Sequence, residues 1–290
     1  MDGKNAKAGL IVSMTLFGTI GVFVRGIGLP SSVIAMARGL LGAAFLLLAA
    51  KLRSDRPDRA AIRKNAVPLL ISGTILGLNW ILLFEAYRFT TVATATLCYY
   101  LAPVLVVLSS PLLLGERLTP GKLLAIAMAF GGMVFISGAA QSGLPPLSEL
   151  RGVLLALGAA VLYAAIMILN KRIRGLGAFD RTAVQLLVTG VVLIPYCLLR
   201  ARILPGSFTL RSAALLGIVC VVHTGLAYML FFGAMEHVSA QSVSMLGYID
   251  PVVAVLCSVV ILREEFTVYS LIGTVLILGG ALVSELPGKK

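Results

Sequence analysis

Charge is what this chain has least of. Asp, Glu, Lys and Arg make up 12% of its 290 residues, where a soluble domain carries about 25%. Hydrophobic residues reach 59%, and the mean hydropathy is +1.01. So few charges cannot cover a globular surface, and the expected solvent is a lipid bilayer. Histidine is nearly missing, with 2 residues, His223 and His237. There is no HExxH, CxxC or Cys/His pattern, so no metal site and no cofactor are implied. The 4 cysteines lie inside apolar stretches and read as small apolar helix residues. A paired nucleophile and base, or a carboxylate cluster, is also lacking. That speaks against an intramembrane lipid-modifying enzyme, the alternative from another class. No basic run interleaves with exposed aromatics, so the net charge of +12 is not read as a nucleic-acid footprint. The first apolar run ends in FVRGIGLP without a small-x-small cleavage site, which marks a retained helix rather than a signal peptide.

What the chain does have is apolar length. Ten segments approach the 17–25 residues that a helix needs to span the hydrocarbon core. They fall near 8–25, 31–50, 66–87, 91–113, 120–139, 151–171, 181–199, 211–235, 240–262 and 267–285. The longest connection, KLRSDRPDRAAIRKN, is charged and leaves no room for a soluble domain. Most of the 24 Lys and Arg fall on the side shared by Lys4, Lys7, the Lys51–Lys64 connection, Arg117, Lys122, the Lys171–Arg181 connection, Lys289 and Lys290. Arg53, Arg56 and Arg59 belong to that side, whereas Arg25, Arg88, Arg151, Arg200, Arg202, Arg211 and Arg263 belong to the other. The bias predicts a multi-pass protein of the inner (plasma) membrane with both termini cytoplasmic.

The chain also repeats itself. FEAYRFTTVATATLCYYLAPVLVVLSSPLLLGERLT, Phe84 to Thr119, returns without a gap as FGAMEHVSAQSVSMLGYIDPVVAVLCSVVILREEFT, Phe232 to Thr267. Tyr100 falls on Tyr248, Pro103 on Pro251, Glu116 on Glu264, and Gly131-Gly132 on Gly279-Gly280. Such a match signals duplication. Five helices per half is an odd number, so the halves, 1–140 and 141–290, are expected to be inverted. Inverted repeats offer two similar packings, the basis of alternating access around a midplane site. Thr119 and Thr267 suit the N-caps of the helices that follow them. Glu116 and Glu264 stand beside the positive ends of those helices, a structural role. The glycine pairs permit close approach of the two halves.

GERLTPGKLLAIAMAFGGMVFIS and LREEFTVYSLIGTVLILGGALVS resemble the ends of the two repeats in the EamA family of the drug/metabolite transporter superfamily. LFGTIGVFVRG and LYAAIMILNKR resemble the starts of the halves. The resemblance spans the whole chain. It implies ten transmembrane helices in two inverted five-helix repeats around a central cavity, and transport of small metabolites, often export of amino acids. Aromatic positions of the first and sixth helices are held here by Phe17 and Tyr163, and the repeat partner of Asp250 is Ala102.

Polar groups inside the membrane are costly and point to function. Asp250 falls near the middle of the ninth segment, beside the kink-prone Pro251. It reads as a substrate-cation contact or proton carrier, or as a protonated carboxyl supporting the kink. Arg38 reads as a bidentate partner for a substrate carboxylate, or as a snorkelling or carbonyl-binding residue; its approximate repeat counterpart is Gln185. Glu85 and Arg88 share a helix face and suit an ion pair, with an outer gate or an ion-coupling carboxylate as the alternative. His223 titrates near neutrality when unperturbed and suits proton transfer or packing. Asn79, Trp80, Tyr99, Tyr100, Tyr228 and Tyr248 lie at mid-helix depth, where a wet cavity or core packing would occupy them. Pro103 and Pro251 are expected to bend their helices. Ser13, Thr15, Thr94, Ser242 and Ser244 would leave room near the axis. The expected function is secondary transport of an amino acid or related zwitterion. Organic cations, quaternary amines or drugs are the second reading. Proton coupling and a monomeric or homodimeric state both fit.

Overall fold

The computed structural model describes residues 3–52, 57–113, 119–136, 146–201, 208–235, 237–238, 243 and 246–285. Glu116, Ser242 and Ser244 lie outside the described residues, as do Arg53, Arg56, Arg117, Arg202, Lys289 and Lys290. Among the described residues the regular structure is all helical. Seven helices are long and apolar enough to cross a membrane, and three further apolar helices are shorter.

In order they are α1 (Gly3–Arg25), α2 (Ser31–Leu52), α3 (Arg59–Lys64), α4 (Ala66–Phe89), α5 (Val92–Tyr99), α6 (Ala102–Leu113) and α7 (Pro120–Ile136). Then come α8 (Leu147–Arg172), α9 (Ala178–Arg200), α10 (Leu210–Cys220), a π segment (Val221–Leu226), α11 (Ala227–Met235), α12 (Ile249–Val260) and α13 (Val268–Glu285). The short α3 sits in the connection that sequence alone left without a helix. Asp58 caps it, accepting from the Ala61 N–H at 2.9 Å. Thr119 and Thr267 cap α7 and α13 as their position suggests, accepting from Lys122 N at 3.3 Å and Ser270 N at 3.2 Å.

Two segments depart from the continuous spans expected of them. The 91–113 span is divided at Tyr100–Leu101 into α5 and α6. Pro103 has no N–H to give the Tyr99 carbonyl, and its ring crowds the preceding turn. In the repeat, α12 begins at Ile249 with Pro251 in its first turn. Tyr100 (φ −71°, ψ 2°) and Tyr248 (φ −73°, ψ −7°) have nearly the same backbone angles at these two places. Asp250 therefore stands in the first turn of α12, not mid-helix, because the helix starts anew just before the proline.

The bundle packs through small residues, since large apolar side chains cover its outside. α7 lies along α13, α2 along α9, α4 along α8, and α1 against α11 and α12. A Cβ on Gly132 would come within 2.8 Å of the Gly273 carbonyl oxygen, and one on Gly280 within 2.8 Å of that of Ala125. These two glycines bring α7 and α13 together backbone to backbone. Their neighbours do not: nothing lies within 4 Å of a Cβ on Gly131, and Gly279 meets only the Met128 side chain.

Candidate functional site

A cavity of about 360 Å³ opens where α1, α4, α8, α11 and α12 meet the α5–α6 break. Each wall is aromatic for a local reason. On α4, Leu76, Trp80, Leu83, Phe84 and Tyr87 follow helical spacing and share one face. At the α5–α6 break the backbone turns both Tyr99 and Tyr100 onto the lining. Tyr163 of α8 stacks on Tyr99, with centroids 5.1 Å apart. Phe17 of α1 packs against Tyr228 of α11 at 5.1 Å. Tyr248 and Pro103 complete the tie to the two broken helices.

Two ionisable side chains of opposite sign line this cavity, and they do not pair with each other. The Tyr100 hydroxyl donates to Asp250 Oδ2 at 2.6 Å, joining the two repeat-related breaks. Arg38 is 4% exposed. Its guanidinium carbon lies 3.9 Å from the centroid of the Trp80 ring and 5.3 Å from that of Phe84. Its Nε donates to Thr224 Oγ1 at 3.0 Å. It neither snorkels nor binds a backbone carbonyl among the described residues. A cation held on aromatic faces is stabilised by the ring quadrupoles and keeps its charge available to an anion.

Of the residues singled out from sequence, Trp80, Tyr99, Tyr100, Tyr228, Tyr248, Asp250, Arg38 and Pro103 come together on this lining. The rest do not join it. Asn79 is fully buried behind the wall, where its Nδ2 donates to the Ala159 carbonyl at 2.6 Å and its Oδ1 faces the Tyr99 hydroxyl at 3.5 Å. His223 is buried between the π segment and α1, with Nε2 3.0 Å from Thr19 Oγ1. Glu85 accepts from Ser31 Oγ at 2.8 Å and pairs with Arg88 at 3.7 Å, beside the end of α4. Pro251 packs inside the bundle. Ser13 and Thr15 bond to backbone carbonyls, and Thr94 takes part in the cap of α5, so none of them opens space at the axis. Gln185 is tied to Ser72 and Asn170, a different network from that of its counterpart Arg38.

Glu264 corrects a sequence expectation. Instead of serving its own following helix, it accepts from the Val92 N–H at the start of α5 at 2.9 Å, pairs with Arg25 at the end of α1 and accepts from Ser258 of α12. The favourable interaction of a carboxylate with a positive helix end is thus spent across the bundle. Near it lies a second space of about 220 Å³, lined by Arg25, Arg88 and Ser31 among others. Phe84 and Tyr87 line both cavities and stand between them.

Sequence reasoning passed over Phe84, Tyr87, Thr96 and Met167 as lining residues. The i, i+4, i+7 spacing of Trp80, Phe84 and Tyr87 was a usable signal. The sequence marks Phe17 and Tyr163 only as aromatic positions, and both stand on the lining. Nothing in the sequence marked the π turn.

A bundle of apolar helices around a cavity with polar groups on its wall is the architecture of a multi-pass membrane protein, and comparison with known proteins makes its class a transporter. The model of the EamA-like transporter family matches twice, over residues 6–138 and 150–286. The chain is 30% identical to an uncharacterized transporter of Archaeoglobus fulgidus over 97% of this chain and 96% of the relative. It is 30% identical to the uncharacterized transporter YxxF of Bacillus subtilis over 93% and 86%. The aromatic amino acid exporter YddG of Ancylobacter novellus is 27% identical over 71% of each chain. A solved crystal structure with 22% identity superposes with a TM-score of 0.67, covering 97% of this chain and 96% of that one. The chain belongs to the EamA-like transporter family.

Proposed function

We propose that this protein exports an amino acid or related zwitterion, and that its substrate carries an aromatic or bulky apolar side chain. The observation that carries this reading is the pair of unlike charges, Arg38 and Asp250, unpaired with each other on one aromatic-walled cavity. A zwitterion between them would give its carboxylate to Arg38 and its ammonium to Asp250, while the rings take the side chain. The aromatic amino acid exporter among the relatives supports the same class. The cation reading is weaker, because Arg38 on the same lining would repel an organic cation.

The mechanism we infer is alternating access by two inverted five-helix repeats, 1–140 and 141–290, with ten helices across the inner membrane and both termini cytoplasmic. The contacts support it: α4 against α8 is matched by α11 against α1, and α5–α6 against α8 by α12 against α1. Exchange of these equivalent packings would close one end and open the other. Arg25, Glu264 and the Val92 N–H draw three elements together at the end where α1 finishes. Asp250 is the proposed coupling carboxylate.

The test is counterflow in proteoliposomes, with a panel of amino acids and quaternary amines at two pH values. Saturable counterflow of aromatic amino acids is expected. Movement of the amines alone would overturn the zwitterion reading and leave the aromatic walls and Asp250 as a cation cage.

A further inference from the structure

Arg38 lines the cavity while its Nε edge is held from behind. The partner there is Thr224, a residue that does not line the cavity and that nothing in the sequence singles out. It sits in the π segment, where the wider turn changes what a threonine can reach. In an α-helix a threonine hydroxyl bonds back to the carbonyl three or four residues earlier. Here Thr224 Oγ1 donates to the Val219 carbonyl, five residues back, at 2.9 Å.

A hydroxyl has one proton and two lone pairs. With its proton committed to Val219, the Thr224 oxygen can meet Arg38 Nε only as an acceptor, and that bond is 3.0 Å long. The hydroxyl is also fixed sideways. A Cβ on Gly42 would fall 2.5 Å from the Thr224 methyl, and one on Gly225 2.5 Å from the Phe45 ring, so α2 and the π segment are in close contact. A guanidinium has five N–H donors in a planar fork. Thr224 takes the Nε donor, Trp80 covers one face, and the Nη groups have no hydrogen-bond partner among the described residues. A buried cation with an unpaired donor edge is expensive unless an anion meets it.

We propose that Thr224 is a positioning residue: the π turn aims its hydroxyl so that the Nη edge of Arg38 is presented to the cavity for a substrate carboxylate. This rests on the proposed function in taking the cavity as the substrate site and Arg38 as its carboxylate partner, and adds which edge of Arg38 meets the acid and what orients that edge. The chain's 1 tryptophan is Trp80 itself, stacked on the guanidinium, so its fluorescence reports an anion arriving at Arg38.

The experiment is a fluorescence titration of the purified full chain with L-phenylalanine, phenylacetate and phenethylamine. In the wild type, the two carboxylates should change Trp80 emission saturably. Thr224→Val keeps the packing volume and loses the acceptor; it should raise the carboxylate midpoints about tenfold. Thr224→Ser should restore them to within about twofold. Phenethylamine brings no carboxylate to Arg38, so any change it causes in Trp80 emission should be the same in all three proteins. Unchanged carboxylate midpoints in Thr224→Val, no rescue by Ser, or a wild-type Trp80 signal that ignores both carboxylates would each overturn the proposal. Counterflow separates the two readings. Phenylalanine flux with a Thr224-independent signal would sink this inference alone. A Thr224-dependent phenylacetate signal without amino acid flux would sink the transport substrate and leave the carboxylate site.

Discussion

Asp250 and Tyr100 illustrate how much of this protein turns on single contacts. A side-chain hydrogen bond contributes about 0.5–1.5 kcal/mol, and more when its acceptor is ionised, and this one bridges the two broken helices. Asp250→Asn keeps an acceptor for the tyrosine and removes the charge. Counterflow should then fall about tenfold or more while the melting temperature moves by about 2 °C or less. Parallel loss of rate and thermal stability would make the carboxyl a structural strut. Asp250 stands out in the sequence because a carboxylate is costly in a membrane. Its tyrosine partner was legible only as one of several mid-depth aromatics, because the contact joins residues 150 apart in the chain. Asn79 and His223 drew attention for the same reason and sit elsewhere. A polar side chain in lipid must find a partner, and a backbone carbonyl or a threonine satisfies that need as well as a substrate does.

Among the elements, the ends of α1, α5 and α12 are the place where charge joins secondary structure. Glu264 holds Arg25 and the first N–H of α5 together, with its side chain 9% exposed. Partly buried charge of this kind is costly to unpair. Glu264→Gln retains an acceptor for Val92 and releases Arg25. With a cysteine substituted for Phe84 in a cysteine-free background, thiol labelling from that end should accelerate about fivefold, as a coupling of about 1 kcal/mol implies. Equal or slower labelling would mean that the network braces the fold without governing access. The helix breaks were half legible: Pro103 and Pro251 announce them, and the backbone angles at Tyr100 and Tyr248 repeat as the sequence repeats. The π segment was not, since VVHTGL contains no breaker other than one glycine. Its extra width is stabilised by packing on α2.

For the whole molecule, the proposed topology makes a direct prediction. An epitope at either terminus should be reached by a protease in inside-out vesicles and protected in spheroplasts. Opposite accessibility of the two ends would require an odd number of crossings and end the ten-helix reading. The sequence by itself determined the lipid-solvated class, the apolar segments, the duplication, the threonine caps and the family. These depend on composition and on local periodicity, which the chain carries wherever it goes. Only the tertiary structure decided which side chains face the cavity. In water the apolar face of a helix points inward, so periodicity reveals the core. In lipid both the outer and the inner face are apolar, and that signal vanishes. Arg38 on Trp80, Tyr100 on Asp250 and Glu264 on Val92 are meetings between distant segments, chosen by glycine-sized contacts and broken helices that no single stretch of sequence encodes.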